Sequence, residues 1–427
     1  MNDYKYELQD TWRWRSQIYF VANGIKRCIW SGMFRLLALL YWAFIALFVI
    51  LSIFSGCNWI EIFFQCLFAV VAFAVWMWFL GKPKGSIKAI HNFNRIGLIN
   101  KTGETPLLID TKYDGIHKSW KLLFRNCGIP LPVWNDNKEN LESGLNLNII
   151  DICERGKKYI EITATSGNTL LPDFIQWKKD DLSDIGFQLN LGKSVAGEVS
   201  VNIANTPHIL IGGSTGSGKS VLLKCLLMQC IEKGANVIIA DFKGGVDFPR
   251  VWREKAQIVT EREKLILTLD DIVTNLHFRK NLFADCECSN ISEYNKMYNS
   301  NLKRLIFACD EVAELLDKTG MSKEDKAEIA RVEANIATIA RLGRAFGIHL
   351  ILATQRPDAN ILSGQIKNNI DYRVCGRADD VLSQIILDKT DAADTISKLA
   401  QGRFLTYDGT QFQAYYFNDK EWNNGKQ

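Results

Sequence analysis

The chain carries a glycine-rich loop between two apolar runs, and this loop limits the folds available to it. Residues 213–220 read Gly-Ser-Thr-Gly-Ser-Gly-Lys-Ser, which fits the phosphate-binding pattern G-x-x-x-x-G-K-[ST] without a mismatch. The apolar run 209–211 precedes the loop, and the run 221–227 follows it. The order strand, glycine loop, helix is the context in which this pattern binds a nucleotide. A surface turn that matches the pattern by chance is the alternative, and the flanking runs argue against it.

Phosphate binding explains why the loop contains these residue types. Glycines let the backbone curl around a polyphosphate, so that its N–H groups can donate to phosphate oxygens. We expect Lys219 to reach the β- and γ-phosphates and the Ser220 hydroxyl to hold Mg²⁺. The helix that begins here directs free N–H groups and the positive end of its dipole at the same phosphates. The predicted nucleotide-binding residues are Gly212, Gly213, Ser214, Thr215, Gly216, Ser217, Gly218, Lys219 and Ser220.

Composition sets limits on the rest of the chain. With 427 residues and 47% hydrophobic content, the chain can form more than one domain and bury a sizeable core. The formal net charge of +4 is too small to identify a polyanionic partner. The 11 cysteines show no paired C-x-x-C spacing, and no histidine lies near Cys286 and Cys288 at zinc-finger spacing. We therefore expect buried free thiols in a reducing compartment rather than disulfides or a metal site.

Two long apolar runs near the N-terminus predict a membrane hairpin. Residues 36–54 and 62–80 are almost wholly apolar, and each is about as long as a helix that crosses a bilayer. The alternative is a pair of buried helices in a soluble core, but neither run has the polar stripe of a globular helix. Lysines and arginines lie before the first run and after the second, whereas the only charged residue of the connecting loop is Glu61. The positive-inside rule therefore places both termini in the cytoplasm. We predict a cytoplasmic segment at 1–35 and a two-span anchor in the cytoplasmic (inner) membrane at 36–80.

Apolar periodicity divides the remaining chain. Between 86 and 190, alternating apolar and polar residues, as in 147–152 and 159–164, predict the strands of a small α+β domain. From 191 to 417, strands alternate with helices, which is the pattern of a parallel sheet with crossover helices. Residues 418–427 form a tail. The predicted fold class is therefore α/β, a P-loop domain with a parallel sheet, preceded by a two-helix transmembrane hairpin and a small α+β domain.

Polar residues follow two predicted strands of this domain. The carboxyl ends of the strands in an open parallel sheet form the edge where a ligand binds. Asp310 suits the carboxylate that holds Mg²⁺ beside Ser220, and Glu311 could polarise an attacking water. Gln355 could sense the γ-phosphate or orient that water, and a structural role for its amide is the alternative. For Asp310 and Glu311, the alternative is that they are simply the solvated end of a strand. The predicted catalytic residues are thus Lys219, Asp310, Glu311 and Gln355, with Ser220 and Asp310 as metal ligands.

Basic residues cluster towards the end of the domain. In a ring of subunits, one of them could act in trans on a neighbour's nucleotide, and others could contact nucleic-acid phosphates in a central channel. Ordinary surface ion pairs are the alternative, and the sequence does not sort the residues between these roles. The candidates are Arg341, Arg344, Arg356, Lys367 and Arg373, and Arg377 lies in the same cluster.

Further short motifs lie around the loop and the strand ends, at 191–198, 290–295, 344–357 and 364–373. Together with the loop, they resemble the motor core of the FtsK/SpoIIIE family of DNA translocases over roughly residues 190 to 417. The resemblance implies a homo-hexameric ring of RecA-like ATPase domains that uses ATP and Mg²⁺ to pump double-stranded DNA through its centre without reading its sequence. It also implies the site roles given above for the loop and the strand-end residues.

The layout departs from that of the cell-division members of this family. Those members usually have a long linker before the motor and a winged-helix domain after it, whereas this chain has two predicted spans and a short middle domain, and it ends at Gln427. This layout resembles the TcpA-like coupling proteins of conjugative plasmids and integrative elements. The resemblance implies delivery of DNA, with its relaxase, to a secretion channel. A chromosome-partitioning translocase and the ATPase of a protein secretion system stay open as alternatives.

Overall fold

The structure is a computed structural model, and it describes residues 17–83, 85–115, 119–244, 246–355 and 363–423. The chain divides into two compact units, Met1–Leu170 and Leu171–Gln427. Each unit has its own hydrophobic core, and the two are described separately below.

Two long apolar helices form the first part of the first unit. After a helical segment at 17–30, helix α1 spans Gly32–Phe54 and helix α2 spans Trp59–Gly81. By length and composition both can cross a membrane, with mean hydropathies of 2.7 and 2.2. A capping box of Asn58 and Glu61 satisfies backbone N–H groups at the start of α2. Both helices are therefore consistent with the predicted membrane anchor.

The rest of the first unit is a small α+β domain with a four-stranded antiparallel sheet of order β1-β2-β4-β3. Its core is apolar, and the buried Trp134 ring packs near the rings of Phe93 and Phe124. Trp120 is 41% exposed and pairs with Tyr113 across β1 and β2. The elements are α3 Ser86–Arg95, β1 Leu107–Asp114, β2 Ser119–Arg125, α4 Leu131–Asp136, α5 Lys138–Leu145, β3 Leu147–Glu154 and β4 Tyr159–Ser166.

The second unit is built on a ten-stranded sheet of order β6-β5-β14-β13-β12-β7-β11-β10-β8-β9. The strands from β12 to β9 in this order are parallel, which confirms the predicted α/β fold with a parallel sheet. The other strands continue the sheet in antiparallel pairs, which the sequence did not predict. The strands are β5 Gln188–Ser194, β6 Gly197–Asn202, β7 Ile209–Gly212, β8 Asn236–Ala240, β9 Gln257–Val259, β10 Leu305–Cys309, β11 Ile348–Thr354, β12 Tyr372–Gly376, β13 Arg403–Thr406 and β14 Gln411–Ala414.

Helices cover both faces of this sheet, so its central strands are apolar on both sides. In β7, Ile209 and Ile211 join one core, whereas Leu210 joins the other. The long helix α11 begins where the Ser322 hydroxyl accepts from the Asp325 N–H, and it ends at Gly347, whose φ is 67°. The helices are α6 Lys219–Glu232, α7 Arg250–Lys255, α8 Arg262–Asp285, α9 Ile291–Met297, α10 Val312–Leu316, α11 Lys323–Phe346, α12 Gly364–Lys367, α13 Asp380–Leu387, α14 Asp391–Thr395 and α15 Asp419–Asn423.

Candidate nucleotide-binding site

The glycine-rich loop lies at the carboxyl end of β7 and leads directly into α6. Gly216 and Gly218 have φ angles of 77° and 98°, a region that costs little free energy only for glycine. A side-chain carbon on Gly218 would also lie 3.0 Å from the backbone of Gly402. Close packing beneath the loop therefore requires glycine at this position, in addition to the turn itself.

Lys219 and Ser220, in the first turn of α6, both contact Asp310 after β10. Lys219 Nζ lies 2.9 Å from Asp310 Oδ1 and also donates to the Asp310 backbone carbonyl. Ser220 Oγ donates to the same Oδ1 atom, again at 2.9 Å. The Lys219 and Asp310 side chains are only 6% and 3% exposed. The structure thus brings together the loop lysine and the two predicted metal ligands.

Lys243, which follows β8, is a second cation at this carboxylate. Its Nζ atom lies 3.1 Å from Asp310 Oδ2 and 3.2 Å from Asp247 Oδ2. Burial alone would raise the pKa of Asp310, but the charges of Lys219 and Lys243 outweigh burial and hold that pKa below its usual value. Burial likewise opposes the charge of Lys243, yet hydrogen bonds to Asp310 and Asp247 raise its pKa. Lys243 was not among the residues predicted from the sequence, although its place just after a strand was the available signal.

Asp241, at the end of β8, is a third carboxylate at this edge of the sheet. It is 3% exposed, and its Oδ1 atom accepts from the Lys243 backbone N–H at 3.0 Å. Within the described residues, its Oδ2 atom has no hydrogen-bond partner. Burial raises the pKa of Asp241, and the negative charges of Asp247 and Asp310 act in the same direction.

Glu311 is held by the carboxyl end of β11. Thr354 Oγ1 donates to Glu311 Oε1 at 2.7 Å, and the Gln355 backbone N–H donates to Glu311 Oε2 at 3.0 Å. The Gln355 side chain turns to the loop, where its Oε1 atom accepts from Thr215 Oγ1 at 3.0 Å. Gln355 therefore contacts both the loop and the carboxylate predicted to activate water.

Arg377, just after β12, binds the loop from its other side. It donates from Nε to Ser214 Oγ at 3.3 Å, from Nη1 to the Lys398 carbonyl at 2.7 Å, and from Nη2 to the Thr215 carbonyl. The Arg377 carbonyl in turn accepts from the Ser214 backbone N–H at 2.7 Å and from Ser214 Oγ at 2.9 Å. This arginine thus contacts the loop of its own chain, whereas the sequence placed it only within a basic cluster.

Two of the predicted basic candidates are paired within the chain. Lys367 Nζ and Arg373 Nη1 lie 2.6 and 2.8 Å from the two carboxylate oxygens of Asp388. Their side chains are 19% and 11% exposed, and the Arg373 guanidinium lies 5.3 Å from the ring centroid of Tyr407. One carboxylate thus pairs with both cations and offsets part of their charge.

Arg341 and Arg344 differ from that pair because both are exposed on α11. The described part of the chain offers neither side chain an ion-pair partner. Arg356 lies outside the described residues. A role of any of these candidates in trans, or in contact with nucleic acid, stays a prediction.

The residues at the site fit a nucleotide polyphosphate with a magnesium ion. Within the described residues, the buried Ser217 hydroxyl in the loop has no hydrogen-bond partner. Ser220 Oγ and the Asp310 carboxylate supply hydroxyl and carboxylate oxygens, the ligand type that Mg²⁺ prefers. In the described residues, no cluster of three or more histidine, cysteine, aspartate or glutamate side chains could hold a metal ion. A magnesium ion at Ser220 and Asp310 would therefore depend on phosphate oxygens and water for its other ligands.

Known proteins resemble this chain in both sequence and structure. Residues 171–359 match the FtsK/SpoIIIE family. The chain is 34% identical over 236 residues to the DNA translocase FtsK of Chlorobaculum tepidum and 33% identical over 232 residues to that of Helicobacter pylori strain J99. Each match covers 51% of this chain but only 28% or 26% of the relative, so the chain spans less than a third of their length.

A solved structure is similar over a larger share of the chain. It is the conjugation coupling protein TcpA of pCW3, in a monomer form with ATPγS. The sequence identity is 35% and the TM-score is 0.59, and the match covers 79% of this chain and 96% of that one.

Proposed function

The chain belongs to the FtsK/SpoIIIE family, and on this premise we propose that it is a membrane-anchored, ATP-driven DNA translocase that delivers DNA to a secretion channel in conjugative transfer. The observation that carries this proposal is the similarity to TcpA, which extends over 96% of that chain at 35% identity. The match to the FtsK relatives is confined to less than a third of their length. A chromosome-partitioning translocase is the second candidate function, which the identity to those relatives favours.

The loop and α6 would bind the triphosphate of ATP. Backbone N–H groups of the loop and the N-terminus of α6 would donate to the phosphate oxygens. Lys219, now paired with Asp310, would exchange part of that contact for the β- and γ-phosphates. Ser220 and Asp310 would hold Mg²⁺, which would offset negative charge on the phosphates.

Glu311 would take a proton from the water that attacks the γ-phosphate. Thr354 and the Gln355 N–H each donate one hydrogen bond to its carboxylate, so each oxygen keeps a second acceptor position for that water. The Gln355 side chain contacts Thr215 in the loop, and it could therefore pass the presence of the γ-phosphate to Glu311. This arrangement would orient the base before the reaction and limit its movement.

DNA would be contacted by unpaired basic side chains. Arg341 and Arg344 are exposed on α11, and α11 is followed directly by β11, the strand that precedes Gln355. Contact with the DNA backbone through such side chains is electrostatic and independent of sequence. We propose that the chain assembles as a homo-hexamer around the DNA, with relaxase and secretion-channel proteins as further partners.

The first unit would anchor this motor in the cytoplasmic membrane. The helical segment at 17–30 lies beside the end of α2, where Asn23 Nδ2 donates to the Gly81 carbonyl at 3.2 Å and Arg27 Nη1 to the Leu80 carbonyl at 3.0 Å. Arg27 also forms an ion pair of 3.1 Å with Asp110 in β1. These contacts support a hairpin whose two outer ends and the small α+β domain lie on the same side of the membrane. By the positive-inside rule, that side would be the cytoplasm.

A genetic test separates the two candidate functions. Donor cells that lack this chain should lose transfer of the mobile element by several orders of magnitude while they divide and segregate their chromosomes normally. The wild-type chain should restore transfer, and Lys219→Ala should not. Normal transfer together with a segregation defect would support chromosome partitioning and reject the conjugative role.

A further inference from the structure

A cavity of about 380 Å³ opens at the amino ends of β8 and β10, whereas the glycine-rich loop lies at the carboxyl end of β7. Its lining includes Arg304, directly before β10, and Gly234, just before β8. The nucleotide site instead lies beyond the carboxyl ends of β7 and β10, at the loop and Asp310. A strand as long as β10, with 5 residues, spans about 17 Å, so the cavity is separate from the nucleotide site.

The lining of this cavity is basic. Among the described residues, those that line it include Lys233, Lys303 and Arg304 but no aspartate or glutamate. Neutral residues complete the lining, among them the polar Asn202 and Ser292 and the apolar Ile291 and Leu302. Because a concave surface with one sign of charge concentrates counter-ions, this lining favours an anionic ligand.

Arg304 is the buried centre of this basic surface, with 7% of its area exposed. Its Nη1 atom lies 3.0 Å from His349 Nε2, its Nη2 atom lies 3.1 Å from Ser292 Oγ, and its guanidinium lies 5.1 Å from the ring centroid of Phe187. Since arginine can only donate, His349 Nε2 accepts, and His349 Nδ1 donates to the Pro207 carbonyl at 3.0 Å. None of these partners is negatively charged. Within the described residues the guanidinium therefore has no ionic counter-charge, and burial lowers its pKa.

A second buried guanidinium, that of Arg279, lies near Arg304. Arg279 is 4% exposed and donates to the carbonyls of Phe346 at 2.7 Å and Lys303 at 3.0 Å. The Phe346 carbonyl is at the C-terminal end of α11, whose dipole offsets part of the charge. Burial lowers the pKa of Arg279 to about 10, and repulsion from Arg304 contributes to this shift. Arg279 and Arg304 together therefore make the electrostatic potential at the cavity wall positive.

The two lysines of the lining differ in their freedom to move. Lys233 Nζ donates to the backbone carbonyls of Ser183 and, at 2.8 Å, of Gly186. Burial lowers the pKa of Lys233, whereas the negative charge of Asp184, which does not line the cavity, acts in the opposite direction. The Lys303 side chain is exposed, and the described residues offer it no ion-pair partner. Lys303 can thus turn towards a ligand without breaking an existing contact.

We propose that this cavity is a second anion site, which binds a phosphate group from the DNA backbone or from a small phosphate compound. Arg304 would donate its remaining N–H groups to phosphate oxygens, and Lys233 and Lys303 would add positive charge around them. A bound phosphate would supply the counter-charge that the two buried guanidiniums lack. The DNA source rests on the proposed function, whereas the small-phosphate source does not.

Binding to the full chain in detergent tests this proposal. The nucleotide site is first saturated with ATPγS and Mg²⁺, and the chain is then titrated with inorganic pyrophosphate or with a fluorescent single-stranded oligonucleotide. Lys303→Glu places a carboxylate beside Arg304 and should weaken binding of the phosphate source that uses the cavity by about tenfold or more. Lys303→Arg should keep the wild-type affinity, and Lys233→Gln should weaken binding in the same direction as Lys303→Glu.

Lys326→Glu is the matched control, because Lys326 is exposed near the opposite end of α11 from Phe346. It changes the charge by the same amount and should leave both affinities at the wild-type value. A loss in Lys303→Glu with the oligonucleotide identifies the DNA backbone as the source, and a loss only with pyrophosphate identifies a small phosphate compound. Equal affinities of Lys303→Glu and Lys326→Glu for both probes would overturn the proposal. ATP hydrolysis by the same preparations reports on the proposed function independently.

Discussion

Lys243 Nζ lies 3.1 Å from Asp310 Oδ2, on the carboxylate whose other oxygen is shared by Lys219 and Ser220. Asp310 therefore has an ammonium group at each oxygen. The contact also connects the segment after β8 to the nucleotide site, through a residue that the loop motif does not include. When Lys219 moves towards the phosphates, Lys243 would continue to hold the carboxylate in place. Asp310 Oδ1 and Ser220 Oγ would then both be available to hold a magnesium ion, and the Asp310 side chain would not need to rotate.

Glu311→Gln should stop hydrolysis and retain nucleotide binding. The amide keeps the size of the side chain but cannot accept the proton of the attacking water, so kcat should fall at least about a hundredfold. The dissociation constant for ATPγS should stay near that of the wild type, because the loop is unchanged. Steady-state ATP hydrolysis and ATPγS titration check the two parts. Glu328→Gln, at an exposed position on α11, is the control. Hydrolysis by Glu311→Gln at the wild-type rate would remove Glu311 from the mechanism.

Arg377→Ala should weaken nucleotide binding. The guanidinium contacts Ser214 and Thr215, so its loss releases one half of the loop, and we expect ATPγS affinity to fall about tenfold. Lys in place of Arg377 cannot reproduce the forked geometry and should rescue little of this loss. Titration of the full chain in detergent provides the measurement. The control is Arg253→Ala, which removes an exposed arginine from α7, and equal affinities for the two variants would show that Arg377 does not shape the loop.

Gly218→Ala should destabilise the second unit. The backbone of Gly218 has a φ of 98°, and the added carbon would lie 3.0 Å from the backbone of Gly402. Strain of this kind costs about 1 to 3 kcal/mol, which should appear as a lower thermal unfolding midpoint. Gly364→Ala is a matched substitution at a glycine with open space around it. If the two variants unfold at the same temperature, the close approach to Gly402 is not rigid.

The stability of the second unit should fall as the pH is lowered through the range in which His208 titrates. Burial lowers the pKa of His208 to about 4 from its ordinary value of 6.5. The unfolded chain therefore binds this proton below about pH 6.5, whereas the folded chain resists it until about pH 4. Stability is complete above the higher value and is lost as the pH falls, by about 3 kcal/mol from this residue alone.

The substitution His208→Asn isolates this effect. The new amide side chain could still accept from the Leu350 N–H, as His208 Nδ1 does at 3.0 Å, but it does not titrate. Between about pH 7 and about pH 4, the thermal unfolding midpoint of the wild type should fall by several degrees more than that of the variant. His349 titrates in both chains, and its pKa is lowered chiefly by burial, with smaller contributions from the charges of Arg304 and His208. Parallel pH profiles would show that His208 does not control acid stability.

Sequence reasoning was effective where chemistry follows from a local motif. The loop pattern and the apolar runs on either side were sufficient to predict the strand, the turn and the helix, because φ angles and capping are local properties. The meeting of Lys219 and Ser220 with Asp310 followed from one general fact, that parallel strands end at a common edge. The apolar runs 36–54 and 62–80 lie within α1 and α2. These two helices could be predicted because the length and composition of each run are local properties of the sequence.

The contacts that could not be predicted from the sequence depend on the order of strands in the sheet and on local backbone conformation. Arg377 donates to the Thr215 carbonyl, 162 positions away, because β12 lies beside β7. The carbonyl group is present at every residue, so no pattern of side chains marks it as a partner. The pairing of Lys367 and Arg373 with Asp388 likewise depends on Asp388 taking a left-handed conformation, with a φ of 58°, at the end of α13. The antiparallel part of the sheet was missed because β5 is joined to β6, and β13 to β14, by a turn rather than by a helix.

The rate of ATP hydrolysis by the full chain in detergent, measured with and without DNA, tests the central claim most directly. We expect DNA to raise the rate severalfold in the wild type, while Lys219→Ala hydrolyses no ATP above background under either condition. A comparison of single- and double-stranded DNA at equal nucleotide concentration would also identify the form that the motor engages. A rate that depends on Lys219 but is the same with and without either form of DNA would contradict the proposal that this chain is a DNA translocase.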